Sequence, residues 1–216
     1  MNFNYDRDYY ENGLQSGISA YENYRWIPEL TIPLAYELIL NLDIKRHDTI
    51  LDFGCAKGYL VKAFRLLHYR AFGVDASHYA INNAPQDISN FVKWQDPKKQ
   101  VTAAGFSCDH FDWIIAKDVF EHIKYEMIEE LLIRLKLIGQ NMFVIVPLGN
   151  NHIYNAPTNN LDKSHIICED YFWWTNIFHK TDWTVSSGSS DIAFIKENYK
   201  GINNAHGYFK LSQNHE

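Results

Sequence analysis

Cysteine is scarce. The 216 residues hold three, Cys55, Cys108 and Cys168, an odd number set far apart with no Cys-x-x-Cys pair. That pattern argues against a disulfide framework and against a cysteine-built structural zinc site. Basic runs are missing too: the net charge is −6, and no basic block exceeds Lys98-Lys99. A protein that grips a long phosphate backbone carries a basic footprint, so nucleic acid is not the expected partner. No stretch approaches the roughly 18 uninterrupted apolar residues of a membrane span, and no membrane partner is expected. The opening MNFNYDRDYYENG is acidic and aromatic, unlike the basic and apolar regions of a secretory leader. The expectation is a cytoplasmic protein. Internal repeats and low-complexity linkers are also lacking, which predicts one domain over residues 1–216.

Present instead is a regular alternation of strand and helix patterns. Residues 1–25 read as irregular or partly helical, and ELTIPLAYELILNL (29–42) carries apolar residues at helical spacing. TILDF (49–53) reads as a buried strand and GYLVKAFRLLHY (58–69) as the following helix. RAFGVD (70–75), NFVKWQ (90–95), FDWIIA (111–116) and NMFVIVP (141–147) are the next strands. Helices are expected at SHYAINNA (77–84), with Ser77 as N-cap, and through KYEMIEELLIRLKLI (124–138). A polar loop (148–165), a helix near 168–179 and two antiparallel edge strands, at WTVSSGS (183–189) and GYFKLS (207–212), complete the chain. Such alternation predicts an α/β fold: a Rossmann-like, doubly wound sheet of about seven mostly parallel strands with helices on both faces. Ligands then bind beyond the carboxyl ends of the strands, at the switch in strand order.

The loop after the first strand, DFGCAKG, lies at such an end. A dinucleotide fingerprint counted from Gly54 would need glycine where Ala56 and Tyr59 stand, and a triphosphate loop would need Ser or Thr where Tyr59 stands. Acid-x-Gly-x-Gly-x-Gly fits Asp52, Gly54 and Gly58, with Ala56 at the middle glycine. Alanine is free of cost there if its φ is negative, so an ordinary backbone is expected at Ala56.

With these elements in order, residues 45–150 resemble the class I S-adenosylmethionine-dependent methyltransferases. The resemblance implies that the backbone of Asp52, Gly54, Cys55, Ala56 and Gly58 cradles S-adenosyl-L-methionine. It also implies that Asp75, with Ala76 after it, accepts the two ribose hydroxyls, and that Asp96 meets the adenine amino group. Asp75 stands 21 residues past Gly54, at the interval of about 20 for a ribose-binding acid. Residues 1–44 then form a helical cover, and residues 151–216 face the acceptor. Lys117, closing the fourth strand, and Arg25 are further candidates for the cofactor; Arg25 has a two-pronged donor for a carboxylate, or is simply a surface residue.

After the fourth strand, Asp118, Glu121 and His122 share a face if the segment is helical. Asp-x-x-Glu-His is similar to the metal motif of ubiquinone-biosynthesis O-methyltransferases and of small-RNA 2′-O-methyltransferases, which carry Glu at the first position. That likeness implies a Mg²⁺-class or other divalent ion on Asp118, Glu121, His122 and His165. Without metal, His122 or His165 is the candidate general base, and Asp162, three residues before His165, either orients that histidine or caps the next helix. The aromatic segment 16–26 and the polar loop 149–166 are the expected acceptor-side elements. Three functions follow: O-methylation of a small hydroxylated metabolite or sugar, metal-dependent RNA 2′-O-methylation, or cofactor binding without catalysis.

Overall fold

The computed structural model describes residues 3–97, 99, 106, 108, 110–186 and 204–213. Two short helices, α1 (Arg7–Glu11) and α2 (Gly13–Ser16), precede the long α3 (Pro28–Leu42). Then come β1 (Thr49–Phe53), α4 (Tyr59–Leu66), β2 (Arg70–Asp75), α5 (His78–Asn82), β3 (Val92–Trp94), β4 (Phe111–Lys117), α6 (Tyr125–Lys136) and β5 (Gly139–Pro147). The polar loop holds a small hairpin, β6 (Gly149–Asn150) with β7 (Ile153–Tyr154), and a 3₁₀ turn at Pro157–Leu161. The chain ends with α7 (Tyr171–Lys180), β8 (Trp183–Val185) and β9 (His206–Gln213).

The main sheet has the order β3-β2-β1-β4-β5-β9-β8. Its first five strands are parallel, while β9 runs antiparallel to both β5 and β8. The expected antiparallel pair is therefore at one edge, and residues 187–189 of its first segment lie outside the described residues. From β1 the chain winds to β2 and β3 on one side, then crosses to β4 on the other. This makes the end of β1 the switch point at which a doubly wound sheet opens a crevice.

Period-two alternation assigns each strand residue to a face. Leu51, Ile114, Ala116, Met142 and Val144 join Ile128, Leu132 and Leu135 of α6 and Trp174 and Phe178 of α7. Their neighbours Ile50, Ile115, Phe143 and Ile145 join Leu38 and Leu42 of α3 and Val61 and Phe64 of α4. Both faces are dry, as a parallel sheet requires. Each such side chain contributes about 1.5–3 kcal/mol relative to exposure. Of the aromatic stripe in α7, Trp174, Ile177 and Phe178 are buried, and Tyr171 stacks on Phe209 at 4.7 Å.

Ser77 caps α5 as its sequence context predicts, its hydroxyl accepting from Ala80 N–H at 2.9 Å. Asp162 does not cap the next helix; α7 is capped by Asp170, which accepts from Trp173 N–H at 2.8 Å.

Candidate active site at the switch point

A cavity of about 670 Å³ opens beyond the ends of β1, β2 and β4. Its floor is the turn after β1. Gly54 has φ +79°, and a Cβ there would meet Val119 Cγ2 at 2.3 Å. The positive φ and the close approach of Val119 thus both require glycine here. Gly54 and Cys55 N–H groups donate to the Val74 carbonyl at 2.8 and 3.0 Å, tying the turn to β2. Gly58, φ +77°, opens α4.

Ala56 overturns the expectation of an ordinary backbone: its φ is +49°, in the left-handed region. That conformation costs a non-glycine residue about 1–2 kcal/mol. The reason lies 19 residues away, where Asp75 Oδ2 accepts the Ala56 N–H at 2.7 Å. A charge-assisted bond of this kind offsets the strain. Ala56→Gly is expected to bind the cofactor as before and to raise stability by about 0.5–1 kcal/mol, the strain relieved less glycine's own entropy. Chemical denaturation of the two proteins measures the difference.

Asp75 is the hub of this floor. Its other oxygen accepts Ser77 N–H at 2.7 Å. Each carboxylate oxygen has two acceptor positions, so one on each remains for a pair of ligand hydroxyls. Burial raises its pKa, and the Ser77 and Ala56 N–H donors oppose that rise. Ala76 and Asp96 join Gly54, Ala56 and Asp75 in lining the cavity.

The remaining cofactor candidates are arranged differently. Cys55 is buried, packs against Gly73 and lies beneath the lining. Arg25 is exposed and outside the lining, which favours its reading as a surface residue. Lys117 Nζ pairs with Asp118 at 2.6 Å behind the floor. Burial by itself would lower the Lys117 pKa, but Asp118 and neighbouring acidic groups raise it above the usual range.

Asp52 is buried at the end of β1, and burial, with a smaller push from Asp75 against the pull of Lys117, takes its pKa up to about 7. The folded carboxyl holds its proton across a window, about pH 4 to 7, in which the unfolded one loses it, so this group lowers stability as pH rises. Asp52→Asn is expected to remove that decline, leaving the variant more stable at pH 8 in the absence of cofactor. Urea titrations at pH 5 and pH 8 read the effect.

The segment after β4 is not an α-helix. Asp118 has φ +56°, and the chain passes into a 3₁₀ turn at Phe120–His122. The three side chains therefore do not share a helical face. Asp118 reaches the cavity beside Lys117, Glu121 is buried, and His122 lines the cavity wall. Glu121, His122 and His165 bring ligand atoms within 4.8 Å of one another, without Asp118. One carboxylate and two imidazoles are poor in the oxygen donors a Mg²⁺-class ion demands. Three of the four expected metal ligands thus come together without Asp118, as a set too poor in oxygen for a Mg²⁺-class ion, and no chemistry below runs through a metal.

His165 and Asp162 lie behind His122, both buried and outside the lining. Their side chains, at His165 Nε2 and Asp162 Oδ2, are 4.0 Å apart, too far for the expected orienting hydrogen bond. Asp162 instead accepts the Tyr9 hydroxyl at 2.8 Å and the backbone N–H of Ser164 at 2.9 Å. Ser164 also donates its hydroxyl to Asp162 and meets His122 Nδ1 at 2.8 Å. Burial, then the neighbouring His165, pushes the His122 pKa down.

The roof comes from the first dozen residues, which the sequence pattern left undefined. Tyr5, Tyr9 and Tyr10 line the cavity together with Tyr21. Ser77 Oγ donates to the Tyr5 carbonyl, and Lys57 is ion-paired to Glu11 while donating to the Tyr24 carbonyl at 2.8 Å. Burial holds the Tyr9 and Tyr10 pKa values above the ordinary range, so both hydroxyls stay protonated donors. Tyr5, just ahead of the Asp6 cap, meets Tyr9 edge to face with ring centroids 5.1 Å apart, a contact helical spacing does not reveal because Tyr5 lies outside the helix. Ser164 had no signal either.

A family profile described as a methyltransferase domain matches residues 27–151, more than half of the chain. No curated protein sequence matches. Among solved structures, a Haloferax volcanii complex of the Trm112 methyltransferase activator with its methyltransferase aligns at TM-score 0.61 and 13% identity, covering 87% of this chain and 92% of that one. The 1,6-didemethyltoxoflavin N1-methyltransferase of Burkholderia thailandensis, with S-adenosylhomocysteine bound, aligns at 0.58 and 12%, covering 88% and 81%. The magnesium protoporphyrin IX methyltransferase of Synechocystis, also with S-adenosylhomocysteine, aligns at 0.58 and 11%, covering 86% and 83%. Among the described residues no helix is long and apolar enough to cross a membrane.

Proposed function

The chain belongs to the class I S-adenosylmethionine-dependent methyltransferases, and from that premise we propose that it methylates an oxygen of a small hydroxylated acceptor, a sugar or similar metabolite. The observation carrying this reading is the half-buried imidazole of His122 in the wall of a cavity whose floor fits the cofactor, with burial and His165 holding its pKa below the ordinary histidine range. The fit rests on the tight glycine turn at Gly54, which lines the cavity, and on the acceptor positions left on Asp75.

S-adenosylmethionine brings a methyl group already activated on a sulfonium. The chain's task is to align the acceptor oxygen and remove its proton. Asp75 and the Gly54–Gly58 turn fix the nucleoside. Tyr5 and Tyr21, partly buried in the lining and backed by Tyr9 and Tyr10, offer ring surface against which the C–H face of a sugar packs. His122 takes the hydroxyl proton as the new C–O bond forms and the C–S electron pair returns to sulfur.

Size and charge favour a small acceptor over RNA. The cavity is within the roughly 300–1,000 Å³ of small-molecule sites. Asp6, Asp75, Asp96, Asp118 and Glu130 line it against Lys99, Lys124 and Arg134, so the lining is acidic on balance and does not attract a phosphate backbone. The test is release of S-adenosylhomocysteine when the purified protein is given S-adenosylmethionine with separate panels of monosaccharides, catechols and heterocyclic amines. Turnover with a hydroxylated panel, undiminished by EDTA, is expected. Turnover confined to amines overturns the oxygen assignment.

A further inference from the structure

The contacts behind His122 form a chain that defines which of its nitrogens is available. The segment bearing Ser164 is docked on the 3₁₀ turn that bears His122: Ile166 and Ile167 N–H groups both donate to the Glu121 carbonyl, at 2.7 and 2.9 Å. Ser164 is 2% exposed and Asp162 8%. The Asp162 carboxylate accepts from Ser164 N–H, from the Ser164 hydroxyl and from the Tyr9 hydroxyl.

With Asp162 accepting from both the N–H and the hydroxyl of Ser164, the order of protons along this chain follows from the geometry. An ionised carboxylate only accepts, so the Ser164 hydroxyl hydrogen points at Asp162. The Ser164 oxygen then presents lone pairs to His122 Nδ1, 2.8 Å away, and that nitrogen must carry the hydrogen. In a neutral ring with its hydrogen on Nδ1, Nε2 is left as the acceptor.

We propose that Asp162 and Ser164 are positioning residues that lock His122 as its Nδ1–H tautomer, presenting Nε2 to the acceptor hydroxyl, and that Tyr9 couples this lock to closure of the N-terminal roof. The proposal rests on the reading of His122 as proton acceptor. It adds two residues that act through it and a link from residue 9 to residue 162 across the molecule. Tyr9 lines the cavity while its hydroxyl holds Asp162, so a displaced roof removes one of the donors that fix the carboxylate.

Nitrogen NMR of histidine-labelled protein with S-adenosylhomocysteine decides the tautomer without any acceptor. His122→Gln assigns the resonances. Wild type is expected to show a pyrrole-type Nδ1 and a pyridine-type Nε2. Ser164→Ala is expected to shift the ring toward a mixture of tautomers, and Ser164→Thr, which keeps the hydroxyl, to restore the single form. S-adenosylhomocysteine affinity, read by calorimetry, stays within about twofold in Ser164→Ala and shows that the fold is intact. An Nε2–H ring in wild type, or an unchanged ring in a folded Ser164→Ala protein, overturns the proposal. With a hydroxylated acceptor from the panels, Ser164→Ala is expected to lower kcat about 10- to 100-fold with KM unchanged, part of the 10²–10⁴ range of general-base catalysis. Should no hydroxylated acceptor turn over, the O-methylation reading fails while the NMR result still judges the lock.

Discussion

Asp75→Ala is expected to weaken S-adenosylhomocysteine binding by 100-fold or more. Two hydrogen bonds from ligand hydroxyls to a charged acceptor contribute about 1.5–3 kcal/mol each, and every 1.4 kcal/mol is tenfold in affinity. The loss is larger than those two bonds, because the same carboxylate holds Ala56 and Ser77 N–H at 2.7 Å each. Without it Ala56 has no compensation for its left-handed backbone, and the floor of the cavity relaxes. Asp75→Asn sharpens the test. Each oxygen accepts one backbone N–H, so an amide must turn its NH₂ toward one of two donors, leaving that donor unsatisfied at a cost of about 1–3 kcal/mol. Asparagine is therefore expected to lose stability as well as affinity. Acid acts in the same direction: ligand hydroxyls favour the ionised carboxylate, so affinity falls once pH drops below the raised Asp75 pKa. Calorimetric titration of wild type and both variants reads all of this. An affinity within threefold of wild type in Asp75→Ala would remove Asp75 from the site.

The fold was legible because its determinants are local or periodic. TILDF, RAFGVD and FDWIIA are short apolar runs that only a parallel sheet covered on both faces buries completely, and each forms a strand where expected. Ser77 caps its helix through a bond spanning three residues. Asp75 was singled out by its interval to Gly54, and it lines the cavity. What escaped depends on contacts distant in sequence. Alanine at position 56 gives no local sign of a positive φ, since the bond that supports it comes from Asp75. Asp118 is turned out of a helix by its own left-handed backbone, which separates it from the Glu121 and His122 of the Asp-x-x-Glu-His motif. Asp162 faces Tyr9 across 153 residues and Ser164 across two, and neither partner is marked by spacing alone. A histidine with an acid three residues away suggested a pair; in the fold the serine between them takes the acid and passes its effect to a different histidine.

That exchange of partners fixes the second large prediction. His122→Ala is expected to lower kcat by 10²–10⁴, the contribution of a well-placed general base, while leaving S-adenosylhomocysteine affinity within about threefold. A fall in kcat and kcat/KM together marks an interaction made in the transition state. Imidazole added to the medium is expected to restore part of the rate, since the vacated volume adjoins the cavity. Burial and His165 depress the His122 pKa, so its base form persists below the ordinary histidine range near 6.5. The acid limb of the wild-type kcat profile then lies below pH 6.5, and the alanine variant loses it. The same shift has a stability consequence. The unfolded chain takes up a proton on residue 122 as pH falls through about 6.5 while the folded chain does not, so stability declines with acid there. His165→Ala is the comparison that decides between the two rings. It lies behind His122, its Nε2 at 3.9 Å from Glu121 and 4.0 Å from Asp162, and its loss is expected to change kcat by less than tenfold. If His165→Ala instead abolishes transfer while His122→Ala spares it, the proton leaves by the other histidine, and the cavity must open further toward Glu121 than this structure allows.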